Sequence, residues 1–145
     1  MELEKQELNI TVDMLRNFEN NLKNFEQVEM KTTHRFLDGM YAREVFMPKG
    51  SIVTSKTHKL ENLTIISQGH MIELTENDNV REIIAPFTMI SPPGMKRALY
   101  MVEDTTWTTV HNNPDNERDL SKLEERIIAP EPSCSSDSED LSCLG

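Results

Sequence analysis

Apolar side chains concentrate in the middle of the chain, whereas both ends are rich in charged and polar residues. From residue 41 onward they fall in short runs of β-branched and aromatic residues, which are separated by Gly, Pro, Asn and Asp. Runs of this length between turn-forming residues are typical of strands. The pattern predicts eight strands, at 41–47, 52–55, 63–67, 70–75, 80–84, 87–90, 97–102 and 105–111. Eight strands at this spacing suit a double-sheet jelly roll, which leaves few strand edges free.

A different periodicity precedes the strands. Leu15, Phe18, Leu22 and Phe25 recur at steps of three and four residues, which places them on one stripe of an amphipathic helix predicted for 12–27. We expect the stripe to pack on the protein's own barrel. Docking on a protein partner, or on a second copy in a homo-oligomer, is the alternative.

The C-terminal part contains a second amphipathic pattern. Leu120, Leu123 and Ile127 predict a short helix of roughly ten residues, and 131–145 form an acidic, Ser-rich stretch without a basic residue. Such a composition buries too little apolar area to offset chain entropy, so we expect this tail to be disordered. The predicted organisation is an N-terminal segment with its helix at 1–30, a barrel at 31–112, a short helix at 113–129 and a tail at 130–145.

Charge and composition exclude several classes of function. The net charge of −10 disfavours binding to nucleic acid, because phosphates would be repelled. Neither a signal peptide nor an apolar run of about 18 residues is present, so we expect no membrane association and a cytoplasmic location. Cys134 and Cys143 both lie in the acidic tail and are expected to be free thiols.

Candidate chemistry begins with a spacing of five residues, Gly50, Lys56, His58, Asn62 and Gly69. It resembles the first sequence motif of the cupins, in which His occupies the positions of Lys56 and His58 and Glu that of Asn62. Pro92-Pro93-Gly94-Met95-Lys96-Arg97 resembles the second motif, with Arg97 in place of the fourth metal ligand. The resemblance implies a mainly β fold, a single cupin-like (RmlC-type) jelly-roll barrel with flanking helices, in which His58 alone remains of four ligands.

A further resemblance concerns the residues around the second motif. The stretches 85–87, 91–97, 103–104 and 107–111 are similar to small uncharacterised cupin-like proteins of tailed bacteriophages. This similarity implies a viral origin, and thus the cytoplasm of an infected host cell or the virion as the location. It implies no known activity.

Metal binding is not expected. A metal site needs several converging N, O or S ligands, whereas Lys56 and Arg97 add positive charge. Glu61 stands one residue before the position of the cupin carboxylate, and one step along a strand points a side chain to the opposite face. We therefore expect no metal and no cofactor. Sequence motifs for a nucleophile or a phosphate-binding loop are also missing, and we expect His34 and His70 to be solvated.

Three functions remain open. In the first, the barrel is a non-catalytic binding module whose mouth holds a small anionic ligand through Lys56, His58, Asn62, Arg97 and His111. Alternatively, the two cations reach solvent or pair with Glu61 and Glu103, and His111 is an ordinary hydrogen-bonded histidine.

The second function is that of a structural or interaction protein, in which the barrel is a scaffold and the N-terminal helix or the acidic tail contacts a partner. The third is a metal-free enzyme of the epimerase or isomerase kind, with His58 as the base and Lys56 as the acid or oxyanion stabiliser.

Overall fold

The computed structural model describes Asn17, Asn20 and Asn21 and the ranges 29–76 and 79–130. Most of the described residues lie in strands, which confirms the prediction of a mainly β chain. The strands are β1 (Lys31–Leu37), β2 (Met40–Met47), β3 (Ile52–Thr54), β4 (Asn62–Gln68), β5 (His70–Thr75), β6 (Asn79–Ile84), β7 (Phe87–Ser91), β8 (Arg97–Met101) and β9 (Thr105–Asn112). One helix, α1 (Leu120–Ile127), follows them.

The strands form two antiparallel sheets. The five-stranded sheet has the order β1-β2-β9-β4-β7, and the four-stranded sheet has the order β3-β8-β5-β6. One apolar core joins their inner faces, with contributions from both sheets. Its buried members are Val45, Met47, Ile66, Met71, Ile83, Leu99, Met101 and Trp107. The two sheets therefore enclose the core as the walls of a barrel.

All eight predicted strands are present, and β1 is a further strand that the sequence pattern did not predict. The hydrophobic pattern predicts no strand before residue 41. The sequence of β1, KTTHRFL, lacks the alternation of a half-buried strand, and the strand lies at the edge of the sheet. Pairing with β2 along its full length, from Lys31 opposite Phe46 to Leu37 opposite Met40, holds it in place. Backbone hydrogen bonding of this kind leaves no signature in hydrophobicity.

Gly69 occupies a turn that accepts no other residue without rearrangement. Its φ is +118°, and a Cβ atom at this position would lie 2.6 Å from the Cα of Thr105. Only glycine combines this backbone conformation with so close an approach of another strand. The Gly69 of the cupin-like spacing thus has a structural role.

Helix α1 confirms the predicted C-terminal helix. The side chain of Asp119 caps it by accepting hydrogen bonds from the backbone N–H groups of Ser121 and Lys122. The helix buries Leu123 and Ile127 in a small cluster with Tyr41. It is eight residues long because Ile128 leaves the helical conformation and forms a β-bridge with His58.

Two other predictions concern residues largely outside the described part. Of the N-terminal helix, Asn17, Asn20 and Asn21 are described, and they are helical and exposed. The apolar stripe at Leu15, Phe18, Leu22 and Phe25 lies outside the described residues, as does the tail at 131–145 with both cysteines. Among the described residues, no helix has the length and hydrophobicity needed to cross a membrane.

Candidate functional site at the polar end of the barrel

The inward-facing side chains change from apolar to polar along the barrel. On β2, Val45 and Met47 belong to the apolar core, whereas Tyr41 and Arg43 precede them at alternate positions. On β9 the same change runs from Trp107 through Thr109 to His111, and on β4 from Ile66 through Thr64 to Asn62. The register places Val45 opposite Trp107 and Tyr41 opposite His111. The polar positions therefore meet at one end of the barrel, which we call the polar end.

All five predicted site residues lie at the polar end. Lys56 and His58 belong to the segment between β3 and β4, Asn62 and Arg97 are the first residues of β4 and β8, and His111 is near the end of β9. The predicted site residues thus come from three strands and a connecting segment.

His58 and His111 face each other inside the barrel. Their ring centroids lie 5.4 Å apart with an interplanar angle of 18°, and Nε2 of His111 lies 2.9 Å from Oγ1 of Thr109. Burial, followed by the positive charges of Arg97 and Arg43, lowers the pKa of His58 to about 4. Burial lowers the pKa of His111 to about 4 as well. Both rings are therefore neutral at pH 7.

Arg97 is not available as an open anion-binding group. Its guanidinium is 5% exposed, and Nε lies 2.8 Å from Oε2 of Glu73 in an ion pair. Arg81 approaches the other oxygen of Glu73 from the outside, at 2.7 Å. We had considered Glu103 as a partner for the barrel cations, but Glu103 is exposed. The charge of Arg97 is compensated from within the barrel.

The charge of Lys56 is also compensated by a carboxylate. Its Nζ lies 2.5 Å from Oε1 of Glu124 on α1, and its side chain is 9% exposed. Glu61, the other partner that we considered, precedes β4 and is exposed, whereas Asn62 is buried. Ion pairing was the correct alternative for both cations, but both partners were wrong. Glu124 belongs to a different element, so spacing alone could not identify it.

A directed chain of hydrogen bonds connects Arg97 with Asn62. Nη2 of Arg97 donates to Oγ of Ser91 at 3.0 Å, and Oγ1 of Thr64 donates to Oδ1 of Asn62 at 2.9 Å. The two hydroxyls lie 2.8 Å apart. Because Thr64 uses its single proton on Asn62, Ser91 must donate to Thr64. The chain fixes the amide so that Nδ2 points away from it.

Nδ2 of Asn62 is an unpaired donor in a closed environment. Asn62 is 4% exposed, and its Nδ2 is buried without a hydrogen-bond partner. A buried donor in this state costs about 1–3 kcal/mol unless a ligand or water accepts from it. The polar end therefore contains an unused hydrogen-bond donor at the position of the cupin carboxylate ligand.

Arg43 is the functional residue that the sequence analysis missed. It lies inward on β2, opposite Thr109, and is half-buried. Burial lowers the pKa of its guanidinium. No carboxylate among the described residues lies within ion-pairing distance of its guanidinium. A charge at an alternate position of a strand that otherwise buries Tyr41, Val45 and Met47 was the signal that could have identified it.

Tyr41 and His34 extend the polar end toward the surface. The hydroxyl of Tyr41 lies 2.6 Å from Nδ1 of His34, and the Tyr41 ring stacks on His111 with centroids 5.9 Å apart. Burial raises the pKa of Tyr41, so its hydroxyl stays protonated. His34 is exposed, as we expected, and it is also hydrogen-bonded to Tyr41. His70, which we had also placed in solvent, lies 2.8 Å from Glu82.

The described residues contain no group of three or more His, Cys, Asp or Glu side chains that could hold a metal ion. His58 and His111 supply two imidazoles, and the groups around them are Arg43, Arg97 and Lys56. Cationic neighbours oppose the binding of a cation. The donor set is suited to an anion, and metal content stays a prediction for elemental analysis.

Comparison with solved structures identifies the architecture. An uncharacterized conserved protein with a double-stranded beta-helix domain from Klebsiella pneumoniae is 13% identical, with a TM-score of 0.51 over 64% of this chain and 84% of the other. KdgF from Halomonas sp. is 14% identical, with a TM-score of 0.51 over 66% of this chain and 90% of the other. The chain has a cupin-like fold. The cupin domain of Schizosaccharomyces pombe Cnp3 is similar too, at 17% identity and a TM-score of 0.50 over 73% of each chain.

At these identities the similarity concerns the fold. No protein-family model matches the sequence, and no curated protein sequence matches it. Function must therefore be inferred from the chemistry of the polar end.

Proposed function

We propose that this cupin-fold chain is a non-catalytic binding protein that holds a small anion at the polar end of its barrel. The observation that carries the proposal is Arg43, which is half-buried and whose guanidinium has no ion-pair partner among the described residues. A buried cation is stabilised when an anion neutralises it. In this respect Arg43 takes the role that we first assigned to Arg97.

The neighbours of Arg43 support the same ligand chemistry. His58 and His111 are neutral, so they carry no charge that would compete with Arg43 for an anion, and Nδ2 of Asn62 is an unused donor. The carboxylates of Glu73 and Glu124 are already paired with Arg97 and Lys56. An anion at the polar end would therefore meet the guanidinium of Arg43, which has no ion pair among the described residues, and the unused amide N–H of Asn62.

Binding is favoured over the isomerase alternative by the state of His58. A general base works best when its pKa lies near the operating pH, whereas the pKa of His58 is about 4. The proposed acid, Lys56, is engaged with Glu124 at 2.5 Å. These two observations leave the pair poorly matched to proton transfer at neutral pH.

Calorimetric titration tests the proposal. Acetate, formate and phosphate are titrated at constant ionic strength into the wild-type protein, R43Q and the control R35Q. Arg35 lies on the neighbouring strand and pairs with Glu44, at 57% exposure. We expect R43Q to lose at least about tenfold in affinity and R35Q to stay within about twofold of the wild type. If none of the three anions binds to the wild type, or if R43Q binds them equally well, the proposal is wrong.

A second candidate function is that of an interaction scaffold, and the outer face of the four-stranded sheet favours it. Ile52 and Tyr100 lie opposite each other there and are 46% and 44% exposed. Exposed apolar side chains grouped in this way are common at protein interfaces. Light scattering of the wild type and of I52K/Y100K tests whether this face is an interface. A mass that falls from dimer to monomer supports the scaffold, and an unchanged monomer contradicts it.

The bacteriophage origin implied by the sequence resemblance belongs to the same proposal. In that setting the anion would be a small metabolite of the infected host cell, and the scaffold would belong to the virion or contact a host protein. Mass spectrometry of purified virions would separate these two settings.

A further inference from the structure

Helix α1 already places a carboxylate at the polar end. Oε1 of Glu124 lies 2.5 Å from Nζ of Lys56, whose side chain is almost fully buried. The charge of Glu124 also acts on the guanidinium of Arg43 and on the hydroxyl of Tyr41. The Glu124 carboxylate therefore lies between solvent and the buried Lys56, and we call this position the entrance.

The backbone of α1 is held firmly. The N–H of Lys59 donates to the carbonyl of Ile127 at 2.7 Å, and the N–H of Ala129 donates to the carbonyl of Thr57 at 2.8 Å. Leu123 is 1% exposed in the cluster beneath the helix. Opening the mouth by moving the whole helix would break all of these contacts.

The side chain of Glu124 borders on solvent, unlike the backbone of its helix. It is 36% exposed, whereas that of Lys56 is 9% exposed, so one partner of the pair borders on water. A Glu side chain has three rotatable bonds, and rotation outward would expose its carboxylate to solvent while the helix stays in place. This rotation would leave the Nζ of Lys56 facing the entrance.

We infer that the Glu124 carboxylate is an internal substitute for the ligand, and that the ligand is a small carboxylate which displaces Glu124 from Lys56 when it binds. The inference rests on the proposed function and names its ligand class. The site already accommodates a planar, singly charged group against Lys56 and beside Arg43. A carboxylate ligand reproduces those contacts, whereas a phosphate would bring a larger, tetrahedral group of higher charge.

Competition between Glu124 and the ligand makes a quantitative prediction. In the wild type, part of the binding free energy is used to separate Glu124 from Lys56. The variant E124Q removes that competing charge and retains the size of the side chain. We expect acetate to bind to E124Q at least about tenfold more tightly than to the wild type.

The matched control is E125Q. Glu125 is the next residue on α1, is exposed, and contacts Lys59 through its backbone carbonyl. E125Q changes the net charge by the same amount as E124Q but leaves the entrance intact. We expect its affinity for acetate to stay within about twofold of the wild type. Thermal melting establishes that each variant is folded, and E124A replaces E124Q if the latter does not fold.

Acetate and phosphate are titrated into the wild type, E124Q, E125Q and R43Q. Tighter acetate binding confined to E124Q supports the inference. If E124Q binds acetate no more tightly than the wild type while R43Q loses affinity, Glu124 does not compete with the ligand and the inference is wrong, but the proposed function stands. If E124Q gains affinity for phosphate but not for acetate, the carboxylate class is wrong. If neither the wild type nor E124Q binds either anion, the proposed function is itself wrong.

Discussion

His58 and His111 lie face to face at 5.4 Å between ring centroids, and neither ring is protonated at neutral pH. Their neighbours Arg43 and Arg97 carry positive charge, so a proton on either imidazole would meet repulsion as well as the cost of burial. The pair is therefore a neutral surface inside the barrel.

We predict that the protein loses stability as the pH falls from about 6.5 toward 4. At higher pH both imidazoles are neutral whether the chain is folded or unfolded. Below the ordinary histidine pKa of 6.5 the unfolded chain binds protons, whereas the folded protein does not until about pH 4. The free energy of unfolding falls through this window by up to about 3 kcal/mol for each ring and then levels off.

Urea unfolding between pH 7.5 and 4.5 measures this dependence. The double variant H58Q/H111Q should show a distinctly flatter profile than the wild type, whatever its absolute stability. The control H70Q removes a histidine that pairs with Glu82 on the outside of the barrel. Equal slopes for the wild type and H58Q/H111Q would contradict the buried neutral pair.

We predict that E73Q destabilises the fold severely. Glu73 is 2% exposed and lies between Arg97 and Arg81, so its loss leaves the buried guanidinium of Arg97 without compensation. The free energy of unfolding should fall by about 3–5 kcal/mol. The exposed Arg35–Glu44 pair provides the comparison, and E44Q should cost less than about 1 kcal/mol. Similar losses for both variants in chemical denaturation would show that Glu73 has no special role.

We predict a sharp difference between two glycine substitutions. A methyl group at Gly50 meets nothing within 4 Å, so G50A suffers only from its positive φ, at about 1 kcal/mol. A methyl group at Gly69 would also collide with the backbone of Thr105. G69A should therefore lower the melting temperature much more than G50A does. Equal shifts in thermal melting would refute the close approach of the two strands.

We predict that removal of residues 131–145 leaves the melting temperature within a few degrees. The segment is rich in Ser, Asp and Glu and has few apolar groups to add to a core. The backbone hydrogen bond between Ala129 and Thr57 is the last described contact before this segment, and it would be retained. Calorimetry of the two proteins decides the matter, and a loss of stability beyond about 10 °C would show that the tail packs on the barrel.

Hydrophobic patterning predicted most of the fold because its strands alternate between the core and solvent. β9 illustrates this, since Thr105, Trp107, Thr109 and His111 are buried and the residues between them are less so. Turn-forming residues then separated the strands. β1 escaped detection because its stability depends on edge pairing with β2 and hardly on burial.

The sequence predicted where the site residues lie but not which carboxylates pair with them. All five predicted site residues lie at the polar end, and four of them, Lys56, His58, Asn62 and Arg97, come from the two cupin-like motifs, which mark where strands begin. The partners of Lys56 and Arg97, by contrast, are set by three-dimensional neighbours. Glu124 reaches Lys56 from 68 residues away, and Glu73 reaches Arg97 through the pairing of β5 with β8. No spacing rule in one sequence contains these contacts.

The most direct test of the proposed anion site observes its groups during titration. Acetate is added to isotopically labelled protein at pH 7 and constant ionic strength, and the side-chain N–H resonances of Arg43 and Asn62 are followed by NMR. The proposal predicts saturable shifts of both resonances with one shared dissociation constant, and none at Asn62 in R43Q. Unchanged Arg43 and Asn62 resonances, with shifts confined to exposed residues such as Arg35, would contradict an anion site at the polar end of the barrel.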